Sequence, residues 1–209
     1  MFRRQIEVLG QNQDNLKNKT ILIIGAGGLG NIVMSEMSCI GLKKIYLIDF
    51  DTIELHNIHR QFQFTDKDIG KYKSKVLADR TYRCGTKIIP IVDKFESFDK
   101  QVDLIIDCTD NFEVRKKIDT FAKENNIPWL YGSVEKWIGQ VCLFKDKNLD
   151  IFNLEEHQVA GVIPAMVGII GSIQAMIATK YLAETEDIEI DKLYYIDFSK
   201  ELKISGFNI

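Results

Sequence analysis

No Cys-x-x-Cys pair occurs in this sequence; its four cysteines, Cys39, Cys84, Cys108 and Cys142, stand far apart. That spacing excludes a zinc site built from such pairs, so no zinc is expected, nor is a disulfide framework in a chain of this type. Histidine is scarce as well. His56 and His59 flank Asn57, and His157 stands alone, with neither metal-ligand spacing nor a catalytic frame. Neither sign of charge dominates: 27 basic and 30 acidic residues leave a net charge of −3 and a pI near 5.7. Such a balance offers no global attraction to nucleic acid or to an anionic membrane. The clusters at Lys71, Lys73 and Lys75 and at Arg115, Lys116 and Lys117 read as solvated helix faces. The first residues, Met1-Phe2-Arg3-Arg4, hold no apolar signal core, which points to the cytoplasm. A membrane span needs roughly 20 predominantly apolar residues. The one long run, 159–183, is broken by Pro164, Gly168, Gly171, Ser172, Gln174 and Lys180, and reads as a buried core helix.

What is present is an ordinary globular composition, 209 residues with 45% hydrophobic and 27% charged, enough for one domain with a real core. Apolar runs alternate with helical patterns, the signature of an α/β fold: a Rossmann-like, mostly parallel sheet with flanking helices. Short helices are expected over 2–9 and 12–16, and strands over 20–24, 44–48, 87–92 and 102–107. Helices are expected over 29–40 (closed by Gly41), 71–83 and 111–125. Segments 127–131 and 135–144 read as further strands, 161–183 as the buried helix, and 192–198 with 201–204 as a terminal hairpin. Strands toward the C-terminus are therefore expected to be mixed or antiparallel. The single domain divides into a helical arm (1–19), a nucleotide-binding core (20–144), a polar loop (145–160) and a helix with terminal hairpin (161–209).

Gly25-Ala-Gly27-Gly28-Leu-Gly30 carries G-x-G-x-x-G spacing between the first strand and the first long helix. There the first glycine permits a tight turn, the second lets backbone N–H groups approach phosphate, and the third allows close helix packing. Asp49 closes the second strand, where an acid is the expected partner of ribose hydroxyls. An NAD-binding oxidoreductase shares all of this, but it also needs a substrate domain and a proton-transfer residue. Arg60 and Lys73 can face one anionic ligand, as a triphosphate requires; the plain alternative is two surface cations. Asp110 follows a buried strand at the sheet edge where ligands bind, and a carboxylate there can hold Mg²⁺. Its plain alternative is a helix cap by Asp110 or Asn111.

These residues resemble the ThiF/MoeB/HesA adenylyltransferases, bacterial relatives of the ubiquitin-activating enzymes. The resemblance runs through Arg4-Gln5-Ile6, the glycine loop, Asp49-Phe50-Asp51, Asn57-Ile-His-Arg60-Gln61, Asp68-Ile-Gly-Lys-Tyr-Lys73 and Asp107-Cys-Thr-Asp110-Asn111. It continues through Gly132 to Gln140 and Gly161 to Ala175, nearly the whole chain in order. It implies that the carboxylate of a small ubiquitin-like sulfur carrier ending in Gly-Gly attacks the α-phosphate of ATP, with Mg²⁺ as cofactor. By resemblance, Asp49 binds ribose, Asn57, Arg60 and Lys73 surround the phosphates, and Asp110 binds Mg²⁺. Asp51 and Gln61 match positions near the nucleotide, and Arg4 matches an arginine offered to a neighbouring subunit, which implies a homodimer. Thiamine and molybdopterin synthesis are both open as the pathway. A tRNA base or a peptide is the alternative substrate, though the acidic balance and lack of a basic stripe argue against tRNA.

Two departures from relatives matter: the zinc-holding cysteine pairs are absent, and the crossover segment 145–160 is short and holds no cysteine. A covalent thiol intermediate on that loop therefore has no residue to form it, and a separate sulfurtransferase is expected to deliver sulfur. Cys142, the nearest thiol, lies in an expected strand and reads as buried and structural.

Overall fold

The structure, a computed structural model, describes residues 1–151 and 161–209. In chain order the elements are α1 (Arg3–Leu9), a 3₁₀ segment (Gly10–Asn18), β1 (Thr20–Ile24), α2 (Gly28–Met37), β2 (Lys44–Ile48), α3 (Lys73–Thr81), β3 (Lys87–Ile91) and β4 (Leu104–Asp107). They are followed by α4 (Phe112–Asn125), β5 (Trp129–Glu135), β6 (Ile138–Phe144), α5 (Pro164–Leu182), β7 (Lys192–Asp197) and β8 (Lys203–Asn208).

All eight strands form one sheet in the order β3-β2-β1-β4-β5-β6-β7-β8. The first five are parallel and the last three antiparallel, the mixed architecture expected from the sequence. β1 is apolar at nearly every position because both of its faces are covered, as in parallel sheets generally. Ile21 and Ile23 pack toward α2, α3 and α5, whereas Leu22 and Ile24 pack toward α4 and the rings of Phe95 and Phe98. α5 is long and apolar enough to cross a membrane, yet Met166, Val167, Ile170, Ala175 and Ala178 bury one side of it against the sheet and α2.

The register sets up the site. Ile24 pairs with Ile48 on one side and with Asp107 on the other, so β1, β2 and β4 leave the sheet side by side. After β1 the chain winds outward through β2 and β3, then crosses back to β4. The crevice between β1 and β4 is thus a topological switch point, where open α/β sheets bind ligands.

Several boundaries differ from expectation for local reasons. α3 begins at Lys73 because Gly70 adopts φ +84° and Tyr72 is extended and bridged to Thr52. Glu135 belongs to β5, and the hairpin turns at Lys136, whose φ is +52°. α5 starts at Pro164, a residue whose fixed φ and missing N–H suit a first helical position. The nine residues 152–160 of the polar loop, with His157, lie outside the described residues.

The expectation that the cysteines form no disulfide is overturned. Cys39 and Cys84 form a disulfide, with their Cα atoms 5.0 Å apart. No spacing rule links residues so distant in sequence; the pair meets because the end of α2 abuts the turn between α3 and β3. Cys108 and Cys142 are free and buried, and burial pushes the Cys142 thiol up to about 12. Cys142 is the buried strand residue expected.

Candidate nucleotide site

Backbone sterics build the floor of the site. Gly25 leaves β1 with φ +97°, and its N–H donates to the Ile48 carbonyl at 2.8 Å. A Cβ at Gly30 would stand 2.1 Å from the Gly25 carbonyl oxygen, so the turn closes only with glycine there. At Gly27 the nearest atom to a Cβ would be Gln61 Nε2 at 3.7 Å, which leaves the loop open to an approaching ligand. α2 starts at Gly28 without a side-chain cap, so its first N–H groups and the positive end of its dipole face the crevice.

Asp49 stands beside this loop. Its Oδ2 accepts from Ala26 N–H at 2.7 Å and its Oδ1 from Asp51 N–H at 2.8 Å. Burial pushes its carboxyl above the usual range, while the two backbone donors and Lys73 pull the other way. Asp51 in turn pairs with Lys73, Oδ2 to Nζ 2.9 Å. Lys73 opens α3, is 7% exposed, and donates its backbone N–H to the Asp51 carbonyl. A solvated helix face was expected at Lys71, Lys73 and Lys75. The structure corrects that reading in part: Lys73 is buried in the site, and Lys71 binds Asp68.

Asn57 and Gln61 are buried on the segment between β2 and α3. Asn57 Oδ1 accepts from Glu54 N–H, and its Nδ2 lies 3.1 Å from His56 Nε2. Gln61 Oε1 has no partner among the described residues, although it is buried beside the glycine loop. Arg60 is folded back on its own turn: Nη1 donates to the His56 carbonyl and meets His59 Nε2 at 2.9 Å.

Asp110 is exposed and makes no bond with the described residues. The cap of α4 is Asn111, whose Oδ1 accepts from Val114 N–H, and this leaves the Asp110 carboxylate free for another role. Among the described residues no cluster of three metal-ligating groups occurs. One free carboxylate suits a Mg²⁺ that arrives with phosphate oxygens and water; it does not suit a cage built from protein alone.

Arg115 corrects a second reading. Expected on a solvated face, it is 8% exposed and lies under the Asp110 turn. Its Nε donates to Asp107 Oδ2 at 2.9 Å, and its Nη2 to the carbonyls of Thr109 and Gly132. Asp107 Oδ1 also accepts from the Thr109 backbone N–H and hydroxyl. Gln174, on α5, donates to the Asp107 carbonyl at 2.8 Å. Against the pull of burial, the Asp107 charge holds the Arg115 guanidinium protonated. A basic triplet at the surface end of a helix carries no signal for this pair; only the position of Arg115, two turns from the end of β4, hints at it.

Arg4 is the site residue not brought together with the others. Its side chain is 95% exposed and only loosely paired to Glu7. α1 is tied by Gln5 to the Ile40 carbonyl, just ahead of β2, at the edge of the sheet opposite the crevice. A strand of this length, roughly 17 Å, separates the two edges. A cavity of about 320 Å³ beside Asp119, Lys123 and Trp129 also lies at that far edge and does not touch these residues.

Known proteins match this chain in sequence and in fold. The ThiF family profile matches residues 2–206. The "Molybdopterin-synthase adenylyltransferase" of Escherichia coli (strain K12) is 31% identical over 202 residues, covering 87% of this chain and 81% of that protein. The "Adenylyltransferase and sulfurtransferase MOCS3" of Caenorhabditis briggsae is 32% identical over 206 residues; the match takes in 88% of this chain but 51% of that one, so this chain spans about half its length. Among solved structures, E. coli MccB with MccA-N7isoASN superposes with a TM-score of 0.88 at 21% identity, over 99% of this chain and 71% of the other. E. coli MccB with ATP gives 0.81 at 22% identity, over 96% of this chain and 65% of that chain. At such identities the structural likeness concerns the fold alone. The profile match over nearly the whole length places this chain in the ThiF family.

Proposed function

We propose that this chain is an ATP-dependent adenylyltransferase that activates the C-terminal glycine of a small ubiquitin-like sulfur carrier, and that it serves molybdopterin synthesis. The observation that supports this reading is the placement of Asp49 and Gln61 against the glycine loop and of Lys73 on Asp51, at the end of the sheet from which β4 leads on to Asp110. The names of several curated relatives favour molybdopterin over thiamine.

In the proposed reaction a carrier carboxylate oxygen bonds to the α-phosphorus, the bond to the β-phosphate bridge breaks, and pyrophosphate leaves with the electron pair. The nucleophile is already ionised, so no general base is needed. The chemical difficulty is bringing two anions together, and the contribution of this chain is fixed positive charge and orientation. Lys73 supplies an ammonium with three donors, only one of which is held by Asp51. Asp49 receives the ribose hydroxyls with its backbone-fixed carboxylate, and Gln61 offers its unpartnered carbonyl near the loop. Arg60 closes on the phosphates by leaving His56 and His59. Asp110 would hold Mg²⁺, which would supply further positive charge to the triphosphate. Arg4 reaches the site of a second subunit in a homodimer, and a separate sulfurtransferase then delivers sulfur to the acyl-adenylate.

The test is carrier-dependent exchange of labelled pyrophosphate into ATP, run with molybdopterin-type and thiamine-type carriers. Exchange with the first and none with the second is the expected result. Exchange with neither, by a protein that binds ATP, would overturn the carrier assignment.

A further inference from the structure

The Cys39–Cys84 pair sits at a telling place in the chain. Asp49, Asp51, Asn57, Arg60, Gln61 and Lys73 all lie inside the loop that the bond closes, whose two cysteines are 45 positions apart in sequence. Cys39 follows the end of α2, the helix that starts in the glycine loop, and Cys84 follows the end of α3, the helix that starts at Lys73. The bond therefore clamps, at their far ends, the two helices whose near ends face the proposed phosphates.

The segment between β2 and α3 has reason to need a clamp. Its only regular structure is two single 3₁₀ turns, Leu55–Asn57 and Asp66–Asp68. Irregular segments longer than about 12–15 residues are where conformational multiplicity concentrates. Ile53 and Phe64 anchor it in the core and Asn57, Gln61 and Asp68 are buried, while Phe50, Leu55, Phe62, Ile69 and Tyr72 remain 44–71% exposed. Both cysteines are partly exposed, so a small thiol can reach the bond.

We propose that Cys39 and Cys84 form a reversible redox site that sets how tightly this chain binds ATP; the proposal rests on the nucleotide site described above. A thiolate of a cellular dithiol attacks one sulfur, forming a mixed disulfide and expelling the other cysteine as thiolate. The second thiol of the reductant then displaces the first cysteine. The reductant leaves as its own disulfide, having lost two electrons, and its two protons pass to Cys39 and Cys84. A peroxide or a small disulfide reverses the change. In the dithiol state the segment samples open forms, and apparent affinity falls by the fraction of time it is competent.

The experiment uses the full chain, oxidised or reduced with a dithiol that is then removed anaerobically, with thiols counted by alkylation and mass spectrometry. ATP binding is read by titration calorimetry and segment opening by amide exchange. Reduction is expected to weaken ATP binding about three- to tenfold, to speed exchange within 49–72, and to lower Tm by about 8–15 °C. Cys39→Ser and Cys84→Ser should each behave as the reduced protein does and ignore the dithiol. Equal ATP affinity in the two states, or alkylation of both cysteines before any reduction and under oxidant, would overturn the proposal. Loss of ATP binding in both states would instead strike at the nucleotide site itself.

Discussion

Lys73 and Asp51 face each other across the mouth of the crevice, Nζ to Oδ2 at 2.9 Å, with the lysine nearly buried and the aspartate half exposed. The asymmetry decides what each does. Asp51 is the ion-pair partner of a buried ammonium whose charge also acts on Asp49, and because Asp51 reaches solvent it can share that ammonium with an incoming phosphate. Lys73→Ala is expected to lower pyrophosphate exchange by about 10²-fold or more, by analogy with removal of a fixed charge from a transition-state site. Stability should change little, since the aspartate left behind is solvated. A radiolabel exchange assay beside a thermal melt checks both halves of this expectation.

Arg115 and Asp107 form the opposite kind of pair, buried on both sides. Removing one partner leaves an uncompensated charge in the core, an effect of about 3–5 kcal/mol. Arg115→Ala is therefore expected to lower the unfolding free energy by that amount in a urea titration. Arg115→Lys should recover only part of it, because one ammonium cannot serve Asp107 and the carbonyls of Thr109 and Gly132 in the same planar geometry. A full recovery by lysine would mean that charge alone, and not the fork, holds the turn.

The two pairs also show what was legible in the sequence. Strands β1 and β2 were readable to the residue because short, mostly apolar runs that stop at Gly25 and Asp49 fit a parallel strand covered on both faces. The glycine loop and Asp49 were readable as neighbours because a G-x-G-x-x-G turn after one parallel strand and an acid closing the next fall side by side at one end of the sheet. Arg115 was not, since a helix-surface triplet and a buried cation have the same spelling until α4 is docked on β4 and β5. The Cys39–Cys84 bond was hidden for a related reason: only tertiary packing brings the end of α2 to the turn after α3. The inward fold of Arg60 onto His56 and His59 likewise depends on a turn whose shape no periodicity encodes.

Asp68 supplies a test in pH. Burial opposes its ionisation, but hydrogen bonds from Thr65, Lys71 and Arg80 outweigh that and hold its carboxyl well below the usual carboxylate range. Its folded pKa is thus depressed relative to the unfolded value of about 3.9. The stabilisation is fully present above the unfolded pKa and is lost as pH falls toward the folded one. The stability difference between wild type and Asp68→Asn should be constant above about pH 5 and should shrink below about pH 4. Urea titrations at several pH values across that window check it. A difference that persists undiminished into acid would show that Asp68 acts through its shape and not its charge.

Gly27 and Gly30 separate the needs of the fold from those of the ligand. At Gly30 an added methyl collides with the Gly25 carbonyl, 2.1 Å from its oxygen and 2.9 Å from its carbon, and backbone cannot turn aside as a flexible side chain can. Gly30→Ala is expected to destabilise the protein by about 1–3 kcal/mol and to weaken ATP binding with it. At Gly27 the methyl would find open space, its nearest neighbour being Gln61 Nε2 at 3.7 Å. That space is the one a phosphate must occupy when backbone N–H groups approach it. Gly27→Ala should therefore leave the melting temperature within a degree or two of wild type, while ATP affinity in calorimetry falls about tenfold or more, the loss expected when one close phosphate contact is blocked. If both variants lose stability together and ATP binding only in proportion, the open space at Gly27 is not where the phosphates lie.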